Sequence, residues 1–362
     1  MPKVTIAIPT YNSEKFLEQT LKSILDQTYQ DFEIIISDDN SNDNTKNIVD
    51  YYLEKYKNIK FFTNTNNLGL FANFNKCIEY AQGEYINIIG HDDVMLPRNI
   101  QMKCKILDNY PNVGLVASSI KCIDQYNNFI TLGDVNWAKY EADSLEKGKE
   151  WIQYKASANN PICCPFVFLR RSTLEKSGFF SCEYPFVGDY EMWLRVAIFA
   201  DIYFLNETLG YFRWHKNNES HKYSGLYYLT EVSQVWNSII NRLNLTEREL
   251  NQIEIRILSG LYEYFVMDNL NNFELASKMC QILDQWRNVP IKISLVTDLL
   301  NQKIIEQNNQ LIDQERQYCH KINLLQSENY SLKSTIKAMK SSKFWQLRQI
   351  WFQLKNLVSL DN

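Results

Sequence analysis

Short runs of aliphatic and β-branched residues alternate with longer amphipathic stretches through the first third of the chain. Residues 4–9, 32–37, 59–63, 85–89 and 113–118 are apolar runs bounded by polar turns, which predicts buried strands. Between them, Phe16, Leu17, Leu21, Ile24 and Leu25 fall on one helical face, with Ser13 as a candidate N-cap. Ile48, Val49, Tyr52 and Leu53 mark a second helix, opened by Asn42 or Asp43. A third runs from about Leu70 to Gly83, a glycine suited to a left-handed C-cap, and Pro97 suits the first turn of a fourth. Strand and helix in alternation, with short connections, predict an α/β fold with a mostly parallel central sheet over residues 1–120.

After residue 120 the rhythm changes. Aromatics rise, Asn127-Asn128 reads as a turn, 161–169 as an apolar strand, 189–199 as a helix and 201–205 as another strand. A mixed half of this kind, spanning 121–227, suits the binding of a second substrate beside the half formed by 1–120. Residues 228–300 are helical by pattern and carry no chemical motif. From 301 to 340 a heptad register places Ile304, Leu311, Tyr318, Leu325, Leu332 and Met339 at d, with Asn308, Glu315, Ile322, Asn329 and Ile336 at a. This reads as a short coiled coil that could join copies of the chain, although one amphipathic helix folded back on the domain fits the same pattern. Residues 341–362 form a basic, aromatic tail.

Composition narrows the class. With 45% hydrophobic and 14% aromatic residues among 362, the chain has ample material for a packed core. A net charge of −4 and the lack of any basic-aromatic cluster in the first 230 residues argue against nucleic acid as a partner. The eight cysteines are scattered without C-x-x-C spacing, so reduced thiols in a cytoplasmic protein are expected. The chain goes straight into its first strand without a signal-like segment, and no stretch of about 18 apolar residues spans a membrane.

Two adjacent carboxylate pairs carry the chemistry. Asp38-Asp39 and Asp92-Asp93 each follow an Ile-rich run, so each lies at the carboxyl end of a strand, where open α/β sheets bind ligands. Like charges side by side repel unless a cation or strong donors intervene. A divalent metal carrying a nucleotide diphosphate accounts for both pairs, while turn and helix starts rich in Asp and Ser account for them more plainly.

The ordered motifs resemble the inverting glycosyltransferases of family 2. Ile8-Pro9-Thr10-Tyr11-Asn12 is followed by Asp38-Asp39-Asn40-Ser41-Asn42-Asp43, Asn67-Leu68-Gly69, Asn73-Phe74-Asn75 and Gly83-Glu84-Tyr85-Ile86 leading to Asp92-Asp93. Cys164-Pro165, Arg170-Arg171-Ser172, Gly188-Asp189-Tyr190-Glu191-Met192-Trp193-Leu194-Arg195 and Tyr211-Phe212-Arg213-Trp214-His215 continue it to about residue 220. The resemblance implies a GT-A fold, a nucleotide-sugar donor linked through UDP or dTDP, and a Mn²⁺ or Mg²⁺ cofactor. Gly90 departs from the pattern, since many members carry Asp there.

By that similarity Asp39 reads the nucleotide base, Pro9, Thr10, Tyr11 and Asn12 shape its pocket, and Asn67, Asn73 and Asn75 make polar contacts to the donor. Asp93 is the expected metal ligand, Asp92 contacts ribose or the metal shell, Arg213 faces the diphosphate, and His215 is a second ligand. Asp189, opening an amphipathic helix, is the expected general base, with Glu191 and Trp193 on the acceptor side. The helix dipole would lower the pKa of Asp189, and burial with Glu191 nearby would raise it again. The acceptor implied is a polysaccharide or a lipid-linked oligosaccharide.

Two other functions fit parts of the sequence. A nucleotidyltransferase also uses strand-end carboxylates, but Pro9-Thr10-Tyr11-Asn12 lacks a Gly-rich phosphate loop. A catalytically silent scaffold would use the heptads alone and leave Asp39, Asp93, Asp189 and His215 without purpose. The tail suits peripheral contact with the cytoplasmic face of a membrane: Phe344, Leu347, Trp351 and Leu354 recur at helical spacing, and the last 26 residues carry +4.

Overall fold

Each apolar run of the first 120 residues forms a strand, and the runs assemble in the expected parallel sense. The computed structural model describes residues 1–131, 142–157, 159–218 and 225–257, with seven further helical positions at 316, 317, 321, 331, 333, 334 and 337. In chain order the elements are β1 (Val4–Thr10), α1 (Leu17–Leu25), β2 (Phe32–Asp38), α2 (Thr45–Lys55), β3 (Ile59–Thr63), α3 (Leu70–Tyr80), β4 (Tyr85–Ile88), β5 (Val94–Met95) and α4 (Asn99–Asn109). There follow β6 (Val113–Ile123), β7 (Phe129–Ile130), β8 (Ser144–Glu146), α5 (Gly148–Trp151) with a π-helical turn at Ile152–Ala156, β9 (Val167–Arg170), α6 (Arg171–Ser177), α7 (Gly188–Phe199), β10 (Asp201–Arg213) and α8 (Gly225–Arg242). Residues 247–257 are helical. These elements belong to a unit running from Met1 to Val289; a second unit, Pro290–Asn362, contributes only the seven scattered positions.

The strands form one sheet in the order β3-β2-β1-β4-β9-β6-β10-β5, with β7 on β6 and β8 on β10. β3, β2, β1 and β4 run parallel, and every residue of β1 and β2 is buried, as strands covered on both faces require. β9 is the exception that shapes the molecule. It runs antiparallel between β4 and β6, with Tyr85 opposite Arg170 and Leu115 opposite Leu169, and so joins the parallel half to the mixed half. β10 lies parallel to β6 and then turns its last residues antiparallel to β5, placing Tyr211 opposite Val94. That pairing brings Arg213 beside Asp92-Asp93.

Several local expectations change in the fold. Gly83 does not take a left-handed C-cap: α3 ends at Tyr80, and only Gly69 and Gly178 among the described glycines have positive φ. Gly83 is needed for close approach instead, since a Cβ there would stand 2.6 Å from the Val4 carbonyl carbon. Ser13 does not cap α1 with its hydroxyl, which accepts the Tyr11 N–H at 3.0 Å; its carbonyl accepts the N–H groups of Phe16 and Leu17. Pro97 lies two residues ahead of α4, where its carbonyl accepts the Thr28 N–H at 2.9 Å. The strand expected over 161–169 is confined to Val167–Arg170, and the one expected over 201–205 extends to Arg213. The tail at 341–362 lies outside the described residues, as do 258–300 and the heptad region 301–340 apart from the seven positions.

Candidate active site

Two loops meet at the carboxyl ends of β1 and β2. Asp38 accepts the Thr10 hydroxyl at 2.9 Å, the Ser41 hydroxyl at 2.6 Å and the Ser41 N–H at 2.9 Å. Asp39 accepts the Asn64 amide at 2.9 Å and the N–H groups of Leu68 and Gly69 at 2.8 Å each. Asn12, in the left-handed region at φ 49°, accepts the Asn42 N–H at 3.0 Å and donates its own N–H to Ser41 at 2.8 Å. Pro9 and Thr10 are buried in β1, and the Tyr11 ring is exposed beside them. The expected base pocket is therefore one knitted surface, with Asp39 buried beneath the 64–69 loop.

The three asparagines expected on the donor are largely committed to the protein. Asn73 donates to the carbonyls of Ser37 at 2.8 Å and Thr10 at 3.3 Å, and clamps the ends of β1 and β2. Asn75 exchanges two hydrogen bonds with the backbone of Phe180, at 2.9 and 3.0 Å. Asn67 accepts the Gly69 N–H at 3.1 Å in an exposed turn.

The second acidic pair lies where β4 runs towards β5. Asp92 Oδ2 meets His215 Nε2 at 2.9 Å, and Asp93 Oδ1 accepts the Arg213 N–H at 2.9 Å. Asp93 Oδ2 is buried without a hydrogen bond. Burial and the adjacent Asp92 charge push the Asp93 carboxyl well above its ordinary pKa. Burial also acts to raise Asp92, but His91 and His215 outweigh it and hold that carboxyl below its ordinary value. Arg213, expected on the diphosphate, is fully buried. Its guanidinium donates to the carbonyls of Asp92 at 2.7 Å and Asp124 at 2.9 Å, and to the side chains of Asn127 and Gln19, each at 2.9 Å. It lies over the Phe16 ring, 4.6 Å from the centroid, and His215 stacks on the same ring at 5.3 Å. Arg213 thus braces the acidic turn from behind.

Asp189 stands in the first turn of α7. Its carboxylate accepts the Tyr190 N–H at 2.7 Å and the Asn160 amide at 3.1 Å. Burial raises its pKa to about 6, against the lowering pull of these two donors. Glu191 takes no part in that shift. It pairs with Arg195 at 2.5 and 2.7 Å and lines a cavity of about 280 Å³ with Ser177, Tyr184 and Arg242. Trp193, expected at the acceptor, is fully buried with its ring edge-on to Phe180 at 6.0 Å, so it is a core residue. Cys163 and Cys164 are free thiols, raised well above their ordinary pKa by burial and by the charges of both Asp93 and Asp189. Sequence reasoning missed Asn160, Phe16 and these cysteines; none lies in a spacing that signals its neighbour.

A divalent cation fits the second acidic pair in two respects. Asp93 Oδ2 is an orphaned buried carboxylate oxygen, and the space beside Gly90 is faced by both carboxylates. A Cβ at Gly90 would stand 2.6 Å from Asp93 Oδ2 and 2.8 Å from Asp92 Oδ1. Among the described residues no group of three or more His, Cys, Asp and Glu side chains is arranged to hold a metal, so a cation here would complete its coordination with water or substrate oxygens.

Residues 5–178 match the family model described as glycosyl transferase family 2, which takes in both acidic pairs and stops short of Asp189, Arg213 and His215. An uncharacterised glycosyltransferase of Methanocaldococcus jannaschii is 35% identical over 148 residues, 40% of this chain and 50% of that one. The chain thus spans about half the length of that relative. The GalNAc(5)-diNAcBac-PP-undecaprenol beta-1,3-glucosyltransferase of Campylobacter jejuni is 40% identical over 97 residues, 26% of this chain and 31% of its own. In structure, S. aureus TarS (residues 1–349) in complex with UDP-GlcNAc matches with a TM-score of 0.64 and 19% identity, over 78% of this chain and 80% of that one, a likeness of fold of the GT-A type.

Proposed function

We propose that this chain, a family 2 glycosyltransferase by the match over residues 5–178, moves a sugar with inversion from a UDP- or dTDP-sugar to a hydroxyl of a polysaccharide or lipid-linked oligosaccharide. The observation that carries the reading is Asp189: a buried carboxylate in the first turn of α7, oriented by Asn160, whose pKa burial raises to about 6. A base poised near neutral pH combines a usable anionic fraction with useful proton affinity. Asp189 takes the proton of the acceptor hydroxyl as that oxygen attacks the sugar carbon from the face opposite the leaving diphosphate. The bond to the diphosphate breaks as the glycosidic bond forms.

On the donor side, Asp39 reads an N–H of the pyrimidine, with Tyr11 exposed beside it. Asp93, with Asp92 and His215 adjacent, would hold Mn²⁺ or Mg²⁺ on the diphosphate side of the site. When bound, the cation neutralises charge on the departing diphosphate. Arg213 keeps the acidic turn in place by gripping the Asp92 carbonyl and donating its own N–H to Asp93. The Campylobacter relative, named for an undecaprenol-linked substrate, supports the lipid-linked acceptor. So does the basic aromatic tail, which would hold the protein at an anionic membrane surface; among the described residues no helix is long and apolar enough to cross one. A thermal-shift panel of nucleotide sugars with and without Mn²⁺ tests the reading. Metal-dependent stabilisation by UDP- or dTDP-sugars is expected, and no response to any nucleotide sugar would overturn it.

A further inference from the structure

Asp189 does not reach its position by the sequence around it alone. The segment leading into α7 is held from both sides. On one side Gly188 lies flat against Phe71 of α3, where a Cβ would fall within 2.6 Å of the ring. On the other, Glu231 of α8 accepts the N–H groups of Phe186 at 3.0 Å and Val187 at 2.9 Å through the same oxygen, Oε2. Glu231 is only 4% exposed, and its second oxygen is buried without a hydrogen bond. N–H groups ahead of a helix have no acceptor within it, and the positive end of the helix dipole favours an anion there. α8 is anchored again just past Asp189, where the Trp236 indole donates to the Tyr190 hydroxyl at 3.1 Å and that hydroxyl donates to the Ala156 carbonyl. Contacts from α8 therefore bracket the base at 186–187 and at 190.

We propose that Glu231 is a positioning residue for catalysis: from a helix outside the matched family region it grips the backbone leading into α7 and fixes where Asp189 points. The proposal rests on Asp189 being the base. A buried carboxylate spent on capping alone is a costly way to tie two helices together, because an anion removed from water must recover its hydration from a few donors. Here it occupies the positive end of α7, which Asp189 would otherwise use to satisfy its own charge. Asp189 is left with the Tyr190 N–H and Asn160, and it stays a proton acceptor. The titratable groups that influence this region include Tyr184 and Tyr227 near Glu231, Cys163 and Cys164 near Asp189, and Tyr190 and Tyr228, the first donating its N–H to Asp189 and the second packed on Phe186.

The test is a carbon-13 titration of the full chain with labelled aspartate carboxyls, the Asp189 signal being the one lost in Asp189→Asn. In wild type it should titrate near pH 6. In Glu231→Ala the midpoint should fall by at least about half a unit, with a smaller fall in Glu231→Gln. The amides of residues 186 and 187 should exchange about tenfold faster in Glu231→Ala. A purely structural role would lower the unfolding midpoint and leave the Asp189 titration of the folded protein in place. An unmoved Asp189 midpoint in both variants overturns the proposal; if Glu231→Ala does not fold, Glu231→Gln decides. Turnover of a UDP-sugar by Asp189→Asn separates the two ideas. Full activity there would remove Asp189 as base while leaving a Glu231-dependent midpoint standing.

Discussion

The two acidic pairs occupy equivalent places, each following a buried strand of the same parallel sheet, yet they are treated in opposite ways. Asp38 and Asp39 each receive three donors from hydroxyls, an amide and backbone N–H groups. Asp93 receives the Arg213 N–H and keeps one buried oxygen bare, while the Asp92 side chain meets the His215 ring. The first pair is held by its own loops, which fix Asp39 in place and leave its carboxylate with acceptor capacity to spare. In the second, repulsion between neighbours is left standing, which is the condition for a cation to be welcome. Position on the sheet creates the opportunity, and the surrounding donors decide how much of each charge is left to use.

Asp189 is the intermediate case, with two donors and a carboxyl raised by burial, and it yields the largest expected effect. Asp189→Asn should lower turnover by about 10²–10⁴-fold, and wild-type kcat should climb with pH through about 6 as the anion forms. Steady-state rates across pH 5–8 check both, and a flat wild-type profile would remove the intermediate case. The pairs themselves separate under one isosteric change. Asp39→Asn should cost about 2–3 kcal/mol of stability in urea unfolding, since three donors lose an anionic acceptor. Asp93→Asn should cost nothing and should raise the midpoint at neutral pH. Equal losses in the two would break the comparison.

Binding gives the next effect in size. Asp93→Asn should weaken Mn²⁺-dependent binding of UDP by at least about tenfold in calorimetry, an effect that chelation of the metal should reproduce in wild type. The smallest effect concerns Asp189 and stability. Its folded pKa lies above the ordinary 3.8, so folding favours the protonated form, and stability is lost as pH rises from about 4 through about 6. Asp189→Asn should therefore be more stable than wild type by on the order of 1 kcal/mol at pH 7.5 and no more stable at pH 4. Thermal melts at the two pH values measure the difference.

The parallel half was legible because its signals are local. Ile34, Ile35 and Ile36, or Ile86 and Ile88, announce buried strands within a few residues, and the acidic pairs follow at once. Gly83 was misread for the same reason: its cause is the backbone of Val4, some 80 positions away. β9 lies in an apolar stretch twice its length, and nothing near Val167 reveals that its partners are Tyr85 and Leu115. Trp193 and Glu191 follow Asp189 in a motif, but helical geometry turns Trp193 into the core and hands Glu191 to Arg195 four residues on. Arg213 was expected to face the diphosphate; packing instead buries it beside the acidic pair, spent on Asp92, Asp124, Asn127 and Gln19. Asn160 and Glu231 serve one carboxylate from distant elements, and no spacing could have announced them.

The antiparallel β9 also dictates an order of assembly. β4 borders β1 on one side, and its other edge stays open until Val167–Arg170 arrives, with Ile88 waiting for Val167 and Tyr85 for Arg170. A nascent chain that has completed β1 to β4 therefore exposes an unpaired, largely apolar strand edge while some 80 further residues are made. Such a closure is slow, because a long loop must be gathered before any ladder bond repays it, and the waiting edge invites pairing with another copy. A fragment ending near residue 120 would retain every residue of both acidic pairs and still be a poor candidate for soluble expression. A piece expected to fold cleanly must reach past Arg213, because β10 in turn covers the open edge of β6.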